Sequence, residues 1–312
     1  MDSSQNTMEI SGGNLRAQII ARGAALTGLY IDHHPRSLIL QHKTTDAYTS
    51  NEAYLGSIVG RFANRIKDAS FTLEGKAHKL NENWLGRHCL HGGRFGIAHQ
   101  NWRVENKTTN SVSLSVTDYE KTSGFPGDCE ITAQYLILEN SILQIHLTAT
   151  STETTPCSIT AHPYFNLGLS NTVSDHILQI PANHYLPVDH EGIPTGELRD
   201  VENSPFDFND PKCISEIEFD ENFCLSNNRE TLKKVAEVLS PETGIRMEVW
   251  SNETGVQFYN GGGLKKPFGK YQGLCLEPQA WPDAPNQKPF PKCVIDAGVK
   301  YEHTIQYKFS TA

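Results

Sequence analysis

Two short segments of the chain each place one ionisable side chain among aromatic, proline and apolar neighbours. His162 lies in residues 161–168 (AHPYFNLG), and Glu277 lies in residues 274–283 (LCLEPQAWPD). A histidine and a carboxylate that share a walled pocket can move protons in opposite directions near neutral pH. Aromatic rings beside such a pair suit the flat apolar face of a sugar ring. The two segments therefore predict an acid–base site with a carbohydrate as its candidate substrate.

The immediate neighbours of each residue indicate where it should lie. Pro163 restricts the backbone of His162 to extended conformations, so we expect His162 at a strand end facing a cleft. A hydrogen-bonded histidine in the core is an equally good interpretation. Glu277 follows an apolar run that is typical of a buried strand, and we expect it at the end of that strand. A carboxylate there is costly unless it is paired or used, and burial would raise its pKa toward neutral pH.

Three further groups of residues could contact a ligand, although each also has a plain structural interpretation. Two glycines follow His91 and predict a tight loop that exposes it, or simply a turn. Asn64 and Arg65 offer hydrogen bonds that could read vicinal hydroxyls, unless the arginine only closes a loop through a salt bridge. Asp220 and Glu221 are adjacent, so on a strand at most one of them should face a given pocket. A solvated acidic turn is the alternative.

Strand patterns dominate the rest of the chain, and no βαβ rhythm, repeat or long capped amphipathic helix interrupts them. Residues 229–239 could form a short helix on propensity alone, but a strand within a hairpin is the preferred interpretation. The pattern predicts an all-β fold, a large antiparallel β-sandwich, as a single domain over residues 1–312. The predicted strands are residues 110–116, a hairpin of 131–138 and 142–149, a hairpin of 234–239 and 245–250, and residues 255–259 and 301–309.

Composition excludes several classes of function. The net charge of −9 argues against a nucleic-acid partner, and no apolar run reaches the roughly 18 residues of a membrane span. The first ten residues are polar, so we expect no targeting signal and a cytoplasmic location.

Seven widely spaced cysteines without a Cys-x-x-Cys pair predict reduced thiols. No His-x-x-x-His or Gly-x-Ser-x-Gly pattern occurs, so we predict neither a metal site nor a serine hydrolase.

Six segments in the same order resemble the aldose 1-epimerase (galactose mutarotase) family. Together they span residues 54–309, nearly the whole chain, and six collinear motifs are far more specific than any one of them. The segments are residues 55–66 (LGSIVGRFANRI), 90–93 (LHGG), 124–127 (GFPG), 162–167 (HPYFNL), 255–259 (GVQFY) and 276–286 (LEPQAWPDAPN).

The resemblance implies a galactose mutarotase-type β-sandwich without a cofactor, acting on a free monosaccharide as a monomer or homodimer. It implies that Glu277 is the general base for the anomeric hydroxyl and His162 the general acid for the ring oxygen. His91 would help to bind and polarise that oxygen. The two catalytic groups are then expected on opposite sides of the C1–ring-oxygen unit, across a pyranose-sized gap. The residues expected to hydrogen-bond sugar hydroxyls are Asn64, Arg65, Asp220 and Gln257.

The sequence departs from the family pattern at positions that bear on substrate preference. Glu221 stands where the family often has histidine, and Ala161 precedes His162 where an Asn-His pair is common. The chain between Gln257 and Glu277 is also short. One alternative is a hexose-6-phosphate 1-epimerase, which would need extra cations from loops 67–87 or 264–270. Another is a sugar-binding module without turnover. The sequence does not identify the sugar.

Overall fold

The computed structural model of the protein describes residues 7–311. The expectation that the chain carries no targeting signal rests mostly on residues outside this range. Within the range, no helix is long and apolar enough to cross a membrane.

Twenty-five strands and five short helical segments are connected by turns and loops in the described part of the chain. The helical turns are α1 (Glu120–Ser123) and the 3-10 turns Thr45–Ser50, Lys67–Ala69, Ile97–His99 and Ala284–Asn286. The strands are β1 (Thr7–Gly12), β2 (Leu15–Ile20), β3 (Leu26–Ile31), β4 (Ile58–Val59), β5 (Arg65–Ile66), β6 (Ser70–Leu73), β7 (Lys76–Lys79), β8 (Cys89–Leu90), β9 (Arg103–Lys107), β10 (Ser111–Asp118), β11 (Cys129–Leu138), β12 (Ile142–Ser151), β13 (Thr155–Pro156), β14 (Thr160–Ala161), β15 (Ile177–Gln179), β16 (His184–Leu186), β17 (Arg199–Asp200), β18 (Lys212–Cys213), β19 (Asp220–Cys224), β20 (Lys233–Leu239), β21 (Ile245–Ser251), β22 (Gly255–Tyr259), β23 (Cys275–Gln279), β24 (Val294–Ile295) and β25 (Tyr301–Thr311).

The largest sheet has nine strands in the order β18-β15-β20-β21-β25-β12-β11-β10-β9. Both predicted hairpins, β11–β12 and β20–β21, are confirmed, and both pair antiparallel. The helix considered over residues 229–239 is wrong, because β20 occupies Lys233–Leu239. This strand pairs with β15 on one side and β21 on the other, and two ladders of hydrogen bonds outweigh a weak helix propensity.

Two smaller sheets face the nine-stranded sheet. One has three strands in the order β1-β2-β3, and the other has five in the order β17-β16-β19-β22-β23. The main hydrophobic core draws buried side chains from all three sheets, for example Ile19 from β2, Leu147 from β12 and Phe258 from β22. In β10 every second residue is buried, as its alternating sequence predicts. The fold is therefore the expected large antiparallel β-sandwich.

The five-stranded sheet is covered on both faces. Phe223, Phe258 and Leu276 point into the main core, and the alternate residues of the same strands point to the opposite face. A second apolar cluster that includes Phe62, Ile66 and Trp281 packs elsewhere in this half of the molecule. All five residues of β23 are consequently buried. The polar residues discussed below lie on the face turned away from the main core.

Candidate active site

A cavity of about 1040 Å³ lies over that outer face of the five-stranded sheet. Its wall includes two loop segments near residues 42–54 and 262–268, together with residues from β5, β19 and β23. The structure brings six of the seven predicted site residues to its surface, namely Asn64, Arg65, His91, His162, Asp220 and Glu277.

His162 follows β14 directly, at a strand end facing the cavity as predicted. Its backbone is fixed on both sides, because its N–H donates to the carbonyl of Ser57 and its carbonyl accepts from Gly56, each at 2.9 Å. Gly56 has φ +69, and a Cβ there would lie 2.0 Å from the carbonyl oxygen of Leu26. The strand end and its neighbouring loop thus hold the imidazole in one place.

Glu277 lies in the middle of β23, and the expectation that it ends a strand is wrong. It pairs with Gln257 of β22, and Asn222 of β19 continues the same row across the sheet. The strand extends through Pro278 because β23 is the edge of its sheet, where a missing N–H costs no ladder hydrogen bond. The carboxylate is therefore positioned by sheet register rather than by a loop.

His162 and Glu277 lie side by side, with 3.6 Å between the Nε2 of the imidazole and the Oε1 of the carboxylate. The expected pyranose-sized gap between them is wrong, because no ring fits in that space. Adjacent groups suit the chemistry nonetheless, since the anomeric hydroxyl and the ring oxygen are bonded to the same carbon. The two side chains can therefore reach these two oxygens from one floor of the cavity.

Burial shifts the pKa values of the two groups in opposite directions. Loss of solvent lowers the pKa of His162 to about 4, although its own backbone and Asp220 favour the charged form. Loss of solvent raises the pKa of Glu277 well above its ordinary value, and the nearby Asp220 carboxylate adds to the rise while Arg65 opposes it. Burial therefore favours a neutral pair with the proton on Glu277.

His91 lies at a tight turn, as predicted, but it is buried with 4% of its surface exposed and does not project outward. Its Nδ1 accepts the backbone N–H of Asn64 at 3.1 Å. Burial, helped by neighbouring His162, lowers its pKa well below the ordinary value. A neutral ring that accepts at Nδ1 carries its proton on Nε2, so His91 presents a hydrogen-bond donor.

His91, His162 and Glu277 each place one possible metal-ligating atom, an imidazole nitrogen or a carboxylate oxygen, within 4.8 Å of the other two. By distance alone, this set could hold a metal ion. A metal needs a lone pair from each imidazole. Because the Asn64 N–H occupies the Nδ1 lone pair of His91 and its Nε2 carries the proton, this ring is a poor ligand. The prediction of a metal-free site stays a prediction, and this tautomer supports it.

Arg65, Asp220 and Gln257 form one hydrogen-bonded chain beside the catalytic pair. Arg65 donates to Asp220 at 3.0 Å, and Gln257 donates to the other carboxylate oxygen at 2.8 Å. Gln257 is buried beneath the cavity and does not line it. The structure therefore places Gln257 as a support for Asp220, whereas Asp220, whose side chain is 42% exposed, is free to accept a hydroxyl.

Asp220 and Glu221 leave β19 on opposite faces, as expected for neighbours on a strand, although both belong to the wall of the cavity. The Glu221 carboxylate turns back and accepts the backbone N–H of Asp220 at 2.8 Å. This turn is possible because both residues open β19, where the strand is not yet enclosed. Burial raises the pKa of Glu221 to about 7.

The aromatic walls of the cavity were only partly anticipated from sequence. Tyr164, which belongs to the His162 segment, packs beside the imidazole in a tilted arrangement with 5.1 Å between ring centroids. Tyr54 contacts His91 with 4.7 Å between ring centroids. Trp84 lies under the Arg65 guanidinium, with 4.6 Å between Cζ of the arginine and the centroid of the indole ring. Trp281 instead packs on Phe290 in the second apolar cluster. Tyr54 stands beside a recognised motif, but nothing in the sequence near Trp84 indicates its role.

The sequence model of the aldose 1-epimerase family matches residues 6–308. The chain belongs to this family. Galactose mutarotase from Bos taurus is 36% identical over 97% of this chain and 94% of its own length. Aldose 1-epimerase from Escherichia coli (strain K12) is 32% identical over 89% of this chain and 86% of its own.

Solved structures agree with the family assignment. A GalM/aldose epimerase homologue from C. elegans superposes with a TM-score of 0.92 at 30% identity, covering 98% of this chain and 99% of the other. The family membership confirms the resemblance found in the motifs. The protein is an isomerase that interconverts the anomers of an aldose, and it binds a sugar.

Proposed function

We propose that His162 and Glu277 catalyse this interconversion as a pair that shares one proton. The observation that carries the proposal is their contact, 3.6 Å between Nε2 and Oε1, on the buried floor of a cavity that is large enough for a sugar. Groups this close exchange protons with two oxygens on one carbon without any movement of the protein.

Ring opening uses the charged form of the pair. The Glu277 carboxylate takes the proton of the anomeric hydroxyl as the C1–ring-oxygen bond breaks, and the His162 imidazolium gives its proton to the ring oxygen. A carbonyl forms at C1, and the pair becomes neutral. Burial favours that neutral form, which offsets the equal cost of first moving the proton from Glu277 to His162 to charge the pair. Rotation about C1–C2 then presents the other carbonyl face, and closure repeats the steps with the acid and base roles exchanged.

The neighbouring residues hold the sugar during these steps. His91, as a neutral Nε2 donor, hydrogen-bonds the ring oxygen and polarises it. Asp220, fixed by Arg65 and Gln257, accepts a sugar hydroxyl, and Asn64 and Arg65 complete the polar wall. Tyr164 and Tyr54 provide the apolar surface for the ring face. Galactose is the proposed substrate, because the mammalian relatives bear that sugar in their names.

A hexose phosphate is a second candidate substrate, and one observation favours it. Lys265 and Lys266, in one of the two loops where extra cations were sought, line the cavity. Neither ammonium group has an ion-pair partner in residues 7–311. These lysines could meet a phosphate carried on a sugar carbon remote from C1.

Polarimetry on freshly dissolved α-anomers tests both candidates. We expect the protein to accelerate the approach to equilibrium for galactose, with a rate that is first order in enzyme. Galactose 6-phosphate should be a poorer substrate if the free sugar is the natural one, and a better one if Lys265 and Lys266 select a phosphate. Saturable galactose binding without any acceleration would show a sugar-binding module and contradict the proposal.

We also propose a reducing compartment such as the cytoplasm, and a site that is complete within one chain. All seven cysteines are free, and five of them are buried. Every group assigned above comes from a single chain, so a monomer or a homodimer can carry the reaction.

A further inference from the structure

Two arginines near the active site have no partner for their charge. The chain has eleven arginines, and the guanidinium groups of nine donate hydrogen bonds or pair with a carboxylate. Those of Arg22 and Arg94 do neither toward any residue of 7–311, and Nε of Arg22 is buried. The nine partnered residues are Arg16, Arg36, Arg61, Arg65, Arg87, Arg103, Arg199, Arg229 and Arg246.

Both unpartnered arginines line one cavity of about 310 Å³. No Asp or Glu of the described residues contributes to its wall, although the chain as a whole has a net charge of −9. Two guanidinium groups in a wall without a carboxylate concentrate positive charge, which points to an anionic occupant.

The same cavity carries exposed aromatic surface. Phe95 is 49% exposed and Tyr119 is 47% exposed, and both line the wall beside the arginines. Aromatic side chains that stay exposed to water beside two guanidinium groups are typical of a site that stacks a flat apolar group. The occupant should therefore combine an anionic group with a ring.

This cavity borders the active site without sharing its residues. His99 lines it, and the His99 ring contacts Tyr54 with 5.2 Å between centroids. Tyr54 in turn lines the larger cavity and contacts His91. A ligand held by the arginines would thus lie behind Tyr54, separate from the sugar on the catalytic floor.

We propose that Arg22 and Arg94 form a second binding site for a small organic anion, one that carries a phosphate or carboxylate beside a flat ring. The guanidinium groups hold the anionic group through paired hydrogen bonds, and Tyr119 and Phe95 cover the ring. The site is independent of the epimerase reaction and can be occupied together with the sugar.

Isothermal titration calorimetry with phenyl phosphate and with benzoate tests the site, in a phosphate-free buffer of low ionic strength and with saturating galactose. The variants are Arg22→Gln and Arg94→Gln. The matched control is Arg199→Gln, which removes an exposed arginine of β17 that is paired with Glu197 and lines neither cavity. We expect one ligand per chain for at least one of the two probes, and an affinity at least about tenfold lower in each cavity variant but unchanged in the control.

Three results would overturn the proposal. They are the absence of saturable binding of either probe up to about 10 mM, binding that survives both cavity substitutions, and binding that galactose displaces. Displacement by galactose would assign the probe to the catalytic cavity. Because Arg94 is exposed, Arg94→Gln should fold even if Arg22→Gln does not, and its thermal unfolding temperature checks this. The readout is binding, so it is independent of whether the proposed acid–base pair is correct.

Discussion

His162 and Glu277 show how one environment prepares two side chains for opposite tasks. Each is at least 95% buried, and burial penalises whichever form is charged. The imidazole therefore loses its proton readily and the carboxyl keeps it. Since they touch, the pair behaves as one unit that holds one proton across a wide pH range.

The pH dependence of kcat/KM should reveal this unit. With ordinary pKa values of 4.5 and 6.5, a Glu base and a His acid would lose activity above pH 6.5. With the shifted pKa values, His162 becomes protonated, and the pair gains a second proton, only when the pH falls to about 4. The pair loses its one proton only when the pH rises to the raised pKa of Glu277. We therefore expect kcat/KM for galactose not to fall as the pH rises through 6.5, as measured by polarimetry after subtraction of the spontaneous rate.

Glu221 is the control for that profile. Its pKa of about 7 lies within the measured window, and the residue belongs to the wall of the same cavity. An alkaline or acid limb near pH 7 that disappears in Glu221→Gln belongs to Glu221. A fall in kcat/KM above pH 6.5 that persists in this variant would contradict the shared-proton pair.

The types of the site residues were predictable from sequence, but their distances were not. His162 and Glu277 stood out because Pro163 and the apolar run around Cys275 made their simple interpretations costly. Their 3.6 Å contact depends on how β14 lies beside β23, which no local pattern specifies. The buried position of Gln257 is likewise a result of sheet register.

At the scale of elements, short loops rather than long strands hold the imidazoles. Gly92 follows His91 with φ +85, and a Cβ there would lie 1.9 Å from the carbonyl oxygen of Gly60. Gly92→Ala must therefore move the loop that carries His91. Because a shift of about 1 Å can cost on the order of 10² in rate, we expect a kcat lower by about that factor.

Gly75→Ala is the matched control for this substitution. Gly75 has φ +79, so an alanine there meets the same backbone strain, but a Cβ would have nothing within 4 Å. It lies in the turn between β6 and β7. Equal effects of the two substitutions on kcat, measured by polarimetry, would show that backbone strain alone is responsible and that the His91 loop is not critical.

Alternating strands were the most predictable elements, and two-residue strands the least. β10, β11 and β12 repeat an apolar residue at every second position, which suffices to assign them. β4, β5, β8 and β14 are too short for any periodicity, yet they carry or flank Arg65, His91 and His162. The family motifs located these segments where the pattern could not.

At the scale of the whole molecule, Arg61 connects the segment that carries Asn64 and Arg65 to the nine-stranded sheet. The guanidinium is fully buried, pairs with Asp118 at 2.9 Å and donates to the carbonyls of Pro126 and Gly127. Burial raises the pKa of Asp118 even though Arg61 opposes the rise. Arg61 supplies the hydrogen bond to Oδ2 of this buried carboxylate.

Arg61→Met should lower the free energy of unfolding by about 3–5 kcal/mol, because it removes the arginine donors from the buried Asp118 carboxylate and from three backbone carbonyls. Urea denaturation followed by circular dichroism measures the change. Arg103→Met, which breaks an exposed pair with Glu105, serves as the control and should have no measurable effect. A loss below about 1 kcal/mol for Arg61→Met would show that the segment and the sheet do not depend on this contact.

We propose that residues 1–312 form a single domain, because the main core combines side chains from all three sheets. The length of the chain also allowed two domains, and strand patterning alone cannot decide between them. A shared core is a property of the assembled sheets, and so it became visible only in the structure.

The most direct test of the catalytic pair is the turnover of Glu277→Gln and His162→Ala, measured by polarimetry with α-galactose. Each substitution keeps the cavity but removes one of the two proton-transferring groups. We predict that kcat falls by about 10²–10⁴ in each variant while the thermal unfolding temperature and galactose binding are retained. A kcat within about tenfold of the wild-type value in either folded variant would contradict the assignment.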